Sequence, residues 1–191
     1  MKKTLAFLAA AAALSIPAAA PAASSAMDEE ATRAARAEMA KLVPLMQGRW
    51  KGTGSFRVSG ATSVATESEE IIAVQLDGSA LLVEGIHRDA RSRLVVHHAM
   101  GLLAWDVGRK EYRMSTALSQ GRTGYFPGRL EGRKFVWWID PPTPQAPRTR
   151  YTIDLDPPGR WHEIGERSVD GGKTWLRFFE MTLQREAAAP R

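Results

Sequence analysis

The stretch Gly48-Arg49-Trp50-Lys51-Gly52-Thr53-Gly54 is where the chain changes character. Before it, Ala35, Met39, Leu42 and Met46 recur at spacings of four, three and four, the stripe of an amphipathic helix. From Trp50 onward apolar and polar residues alternate, and turn residues arrive at regular intervals. The alternation predicts strands over Trp50–Val58, Ser63–Gln75, Ala80–His87, Leu94–Trp105, Glu111–Leu118, Thr123–Leu130, Lys134–Ile139, Arg150–Leu155, Arg160–Ser168 and Thr174–Arg185. Asp77-Gly78, Val107-Gly108-Arg109, Glu131-Gly132 and Asp170-Gly171-Gly172 supply turns between them. About ten short strands with hairpin-length connections make an antiparallel up-and-down sheet, which at that size closes or splits in two. The expected class is therefore all-β, an up-and-down barrel of about ten strands behind one N-terminal helix. No helix intervenes between strands, which excludes a parallel α/β sheet.

Upstream, Asp28, Glu29 and Glu30 place negative charge where a helix N-terminus favours it, and Pro44 disfavours helix at Val43. The regular helix is expected to end near Leu42. Residues 1–26 read as an export signal: Lys2 and Lys3, then an Ala/Leu/Phe run from Thr4 to Ile16. Small-residue pairs suited to cleavage follow at Ala20/Ala22 and Ser24/Ala26. A membrane anchor needs about 20 strongly apolar residues, whereas this run is shorter and broken by Pro17 and Pro21. The expected organisation is a signal peptide over 1–26, a helical segment over 27–47, a barrel over 48–186 and a flexible tail over 187–191. That arrangement places the mature protein in the periplasm or outside the cell, with no membrane span.

Composition narrows the chemistry. The chain has 191 residues, 26 Lys plus Arg against 21 Asp plus Glu, 44% hydrophobic residues and no cysteine. Disulfides, thiolate metal sites and a cysteine nucleophile are excluded. Lys and Arg alternate with acids and form no block, so no nucleic-acid partner is expected. His97 and His98 are adjacent in a strand and point to opposite faces, and His87 and His162 add no ligand spacing. No metal, cofactor or catalytic residue is expected, since neither a Gly-x-Ser-x-Gly elbow nor a phosphate loop occurs. Gly52 and Gly54 are read as points where the first strand bends. Asp140 to Pro147 holds four prolines and reads as a stiff loop at the barrel rim.

Gly48-Arg49-Trp50 resembles the Gly-x-Trp that opens many calycin barrels, the lipocalins and their relatives. In those proteins the Trp plugs the closed end, and an Arg near the end of the last strand stacks across it. Arg185 ends the last strand here, so the resemblance gives Trp50 and Arg185 a structural role. The longer Gly-x-Trp-x-Gly-x-Gly also resembles the haem-binding nitrobindins, but Trp175 to Arg185 lacks the C-terminal histidine those barrels carry. Trp161-His162-Glu163 and the run from Asp170 to Leu183 resemble an uncharacterised bacterial family of calycin-like barrels. That likeness covers about Leu42 to Arg185, and it implies fold without an activity. Ser168-Val169-Asp170-Gly171-Gly172-Lys173-Thr174-Trp175 matches the Asp-box of sialidases in a single copy. Asp170 and Gly171 are expected to build a hairpin turn there, not a glycosidase site.

Several polar residues share expected strand faces with apolar ones: Glu84 with Leu82 and Ile86, His98 with Val96 and Met100, Tyr112 with Met114. Arg177 shares one with Phe179, Met181 and Leu183, and one indole of Trp137 and Trp138 faces inward. Glu84, His98, Tyr112, Trp138 and Arg177 are accordingly the candidate ligand-binding residues of a lumen open at the end away from Trp50. Tyr151, Ile153 and Leu155 are expected to face the core. The function these features favour is carriage of a small apolar or amphipathic molecule. A haem-barrel enzyme and a fully packed envelope scaffold are the alternatives.

Overall fold

Alternating strands close on themselves here because every apolar face finds the same interior. The computed structural model describes residues 21–59, 62–143 and 145–187. Its strands are β1 (Gly48–Ser59), β2 (Thr62–Gln75), β3 (Ala80–Asp89), β4 (Val95–Asp106) and β5 (Glu111–Leu118). Then come β6 (Thr123–Glu131), β7 (Lys134–Ile139), β8 (Arg148–Asp154), β9 (Arg160–Ser168) and β10 (Leu176–Arg185). Each pairs antiparallel with the next, and β1 also pairs with β10, so the barrel is closed and no sheet edge is left open. In that register Trp50 lies between Glu70 on β2 and Arg185 on β10.

The one α-helix among the described residues, α1 (Pro21–Met46), covers one end. Its first turns overlap the expected leader, whose residues 1–20 lie outside the described residues. Met39, Leu42 and Met46 are its buried face, and they join the core with Trp50. The helix does not stop near Leu42 but continues through Pro44 to Met46. Tertiary donors explain the extension. The Trp50 indole donates to the Met46 carbonyl at 2.7 Å, and the Arg185 guanidinium donates to the Leu45 and Pro44 carbonyls. Carbonyls that a helix C-terminus leaves unpaired are thus satisfied from the barrel. Among the described residues no helix is long and apolar enough to cross a membrane.

The helix-covered half of the interior is filled. Trp50, Trp161, Phe135, Leu81, Leu103, Leu155 and Leu183 are almost fully buried, and the two indoles meet edge to face at 5.5 Å. Arg185 lies over the Trp50 ring, 4.4 Å from its centroid. Gly52 is not needed for bending so much as for closeness. A Cβ there would sit 2.1 Å from the Thr182 carbonyl oxygen and 2.9 Å from the Leu183 Cα, both backbone atoms. Gly52→Ala should therefore push β1 from β10 and cost about 1–3 kcal/mol. Urea titration of the two proteins checks this, and an unchanged midpoint would contradict it.

At the other end, the β9–β10 turn is organised by Asp170. Its carboxylate accepts hydrogen bonds from the backbone amides of Lys173 and Thr174 and from the hydroxyls of Ser168 and Thr174. These bonds hold its pKa below the usual carboxylate range. Gly171 takes the left-handed φ of 76° that the turn requires. Beyond the turn, β10 carries a bulge between Arg177 and Phe179 opposite Glu166 and Gly165. The extra residue corrects the expected face. Phe179, Met181 and Leu183 keep the interior, while Arg177 is turned outward, where it donates to Glu180 at 3.0 Å. Trp175 lies under the Arg150 guanidinium, 4.0 Å from its ring centre.

Candidate functional site

Strand pairing decides what enters the lumen beyond the packed half. β2 turns Thr66, Ser68, Glu70 and Ile72 inward, all buried. β3 turns His87 inward, and its register partner on β4 is His97. The rings lie 5.1 Å apart. β9 contributes Trp161 and Glu163. On β1, Gly52 and Gly54 face Ser68 and Thr66, so no bulky side chain fills that wall. Gly85 performs a related service, since a Cβ there would approach the Glu70 carboxylate to 2.7 Å.

Two carboxyls are thereby placed inside the barrel, Glu70 and Glu163 each 7% exposed. Burial raises the Glu70 pKa well above the ordinary range, and the charge of Glu163 raises it further. Glu163 is pushed up to about 7 by burial, against the opposing hydrogen bonds of Trp161 and Trp137. The Trp161 bond is 3.1 Å long. His87 is driven down to about 4 by burial and then by His97. Its Nδ1 lies 2.8 Å from the Ser68 hydroxyl, which is 3.0 Å from that of Thr66. Its Nε2 is 3.7 Å from Glu70. Between a neutral imidazole and a carboxyl that resists ionisation, that distance is not an ion pair. Among the described residues no Lys or Arg pairs with Glu70 or Glu163.

Above the carboxyls runs a chain of aromatic rings. Phe126 and Trp137 are 5.5 Å apart, Trp137 stacks on Tyr151 at 4.0 Å, and Tyr151 meets Phe179 at 6.2 Å. Phe179 meets His87 at 6.0 Å, which passes the chain to His97. The collar thus draws on β6, β7, β8, β10, β3 and β4. Phe126, Trp137, Tyr151, Phe179 and His97 face inward yet are only half-buried. The end of the barrel away from α1 is thus the less completely buried one. The proline-rich β7–β8 loop stands at this end.

The five expected binding residues do not assemble there. Glu84 and His98 are on the outer surface, paired with each other at 2.9 Å. Trp138 is outside as well, with the Arg129 guanidinium 5.5 Å from its ring centre, and Arg177 is outside through the bulge. Tyr112 does face inward, but at the closed end, where its hydroxyl donates to the Glu38 carbonyl on α1. It shares with Trp138 the wall of a cleft of about 370 Å³ beside α1. The error on β4 and β7 is one residue of register, which exchanges His97 for His98 and Trp137 for Trp138. Glu70, Glu163 and His87 are not among the expected binding residues. Their signal was present: Glu70 follows Thr66 and Ser68 at period two, and Glu163 shares a face with Trp161.

No protein-family model matches the chain, and no curated protein matches it. Solved structures resemble it. Rv2717c from M. tuberculosis shares 16% identity with a TM-score of 0.56, covering 78% of this chain and 98% of that one. The S-type phycobiliprotein lyase CPES from Guillardia theta shares 13% identity with a TM-score of 0.54, covering 84% of this chain and 98% of its own. At such identities the likeness is one of fold.

Proposed function

We propose that this chain, a calycin-like barrel, is an exported binding protein whose open half-lumen takes up the apolar body of a small amphipathic molecule. The observation that carries the reading is the incompletely buried aromatic collar of Phe126, Trp137, Tyr151 and Phe179. Inward rings in contact with water gain when an apolar body covers them. Export is supported by Lys2 and Lys3 before the Ala-rich run. The haem-barrel alternative calls for a histidine on the last strand, and β10 has none.

The test is titration with the neutral probe N-phenyl-1-naphthylamine, whose fluorescence rises in apolar surroundings. Wild type should bind it saturably. Trp137→Ala should bind about tenfold or more weakly, and Trp138→Ala, altered on the outer wall, should bind as wild type does. Circular dichroism shows that each variant is folded. Absence of saturable binding in wild type would overturn the reading in favour of a packed scaffold. A loss confined to Trp138→Ala would move the site to the cleft beside α1.

A further inference from the structure

We propose that the polar head of the molecule taken up is a cation, an ammonium group seated beside Glu70 and Glu163 beneath the aromatic collar. The inference rests on the lumen-binding reading and adds the sign of the head group to it.

Glu70 is buried, with its carboxyl against Gly85 on the inner face, and among the described residues no hydrogen-bond donor is bonded to it. Glu163 is held by the indoles of Trp161 and Trp137, both uncharged donors. Three carboxylates on the outer wall have cations of their own: Glu69 has Arg49, Glu166 has Arg150, and Glu180 has Arg177. The two inside have only His87, whose ring is tied to Ser68 and kept neutral by burial. Buried acids without a cation favour a ligand that brings one, because pairing offsets the cost of ionising them out of water. The collar agrees, since aromatic rings attract an ammonium group.

Other charges face this space from the strands around it. His97 on β4 is held toward its neutral form, chiefly by burial. The Tyr151 hydroxyl on β8 is pushed up to about 12 and stays protonated. At the mouth, Arg167 on β9 stands over the Phe178 ring at 4.7 Å, and Arg122 lies close enough to act on His97. An anionic head held at the mouth by these arginines, with its tail below, is the competing arrangement.

Three probes with one tail separate the two: decyltrimethylammonium, decanol and decanoate, each displacing N-phenyl-1-naphthylamine below its micelle concentration. Wild type is expected to take decyltrimethylammonium at least tenfold more tightly than decanoate. In the double variant Glu70→Gln, Glu163→Gln the cation's affinity should fall at least tenfold, while that of decanol stays within twofold. The substitutions conserve shape and remove only the ionisable groups, so a folded variant is expected and circular dichroism checks it. Equal or tighter binding of decanoate, or cation binding indifferent to the double variant, would overturn the cationic head and leave lumen binding standing. Failure of wild type to bind the naphthylamine at all would remove both.

Discussion

Truncating Trp50 to alanine is expected to lower the stability of the barrel by about 3–5 kcal/mol, the range for large aromatic deletions in a core. Trp50 is fully buried and is a junction of three elements. Its indole N–H satisfies the Met46 carbonyl at the end of α1, its edge meets Trp161 on β9, and its face carries the Arg185 guanidinium of β10. Alanine leaves a cavity at the centre of the plug and an unpaired carbonyl beside it. It also removes the ring on which Arg185 rests while that guanidinium donates to Leu45 and Pro44. Trp50→Phe should retain most of the volume and lose the hydrogen bond, a smaller cost of about 1–3 kcal/mol. Urea denaturation of wild type and the two variants measures both. A loss under about 1 kcal/mol for Trp50→Ala would show that the closed end is not held through this residue.

Glu163→Gln should do the opposite, and its effect should depend on pH. The folded pKa of Glu163 is about 7, against about 4.3 in an unfolded chain. Between those values the folded state holds a proton that the unfolded state has released, so stability falls as pH rises through the interval. The favourable contribution of the neutral acid is complete below about pH 4 and lost above about pH 7. Glutamine mimics that neutral acid at every pH and can still accept from Trp161. Its advantage over wild type should grow from near zero at pH 4 to on the order of 3 kcal/mol at pH 8. His87 titrates the other way: its folded pKa is lowered, so its contribution is present above about pH 6.5 and lost toward pH 4. Because both proteins carry His87, its influence cancels to first order in their difference. Relief of Glu70, whose pKa the Glu163 charge raises, adds to the gain. Denaturant titrations of both proteins at pH 4, 6 and 8 give the comparison, and a difference constant across that range would refute a buried, neutralised Glu163.

The residues that fill the plug and those that form the site differ in how plainly they can be read. Trp50, Ile153, Leu155, Met181 and Leu183 are apolar at period two in strands with flanking turns, and burial is their cheapest state. Glu70, His87 and Glu163 are polar, and period two alone does not say on which side of a sheet a polar group belongs. Glu69 and Glu70 are the same residue type in adjacent positions, yet one pairs with Arg49 outside and the other is enclosed. His97 and His98, and Trp137 and Trp138, pose the same question in pairs. Only the hydrogen-bonded register with neighbouring strands answers it.

Alternation, turn chemistry and the helical stripe by themselves determined ten antiparallel strands behind one helix, because these are local preferences repeated until only a closed sheet can bury them. The tertiary structure alone decided where α1 ends, since the donors that satisfy its last carbonyls come from Trp50 and Arg185, the latter about 140 residues away in the chain. It also decided that Arg177 lies outside, through one extra residue in β10 that period-two reading does not detect. Above all it placed two carboxyls in the lumen, because the environment of a polar side chain is set by the strands that close around it and not by its neighbours in sequence.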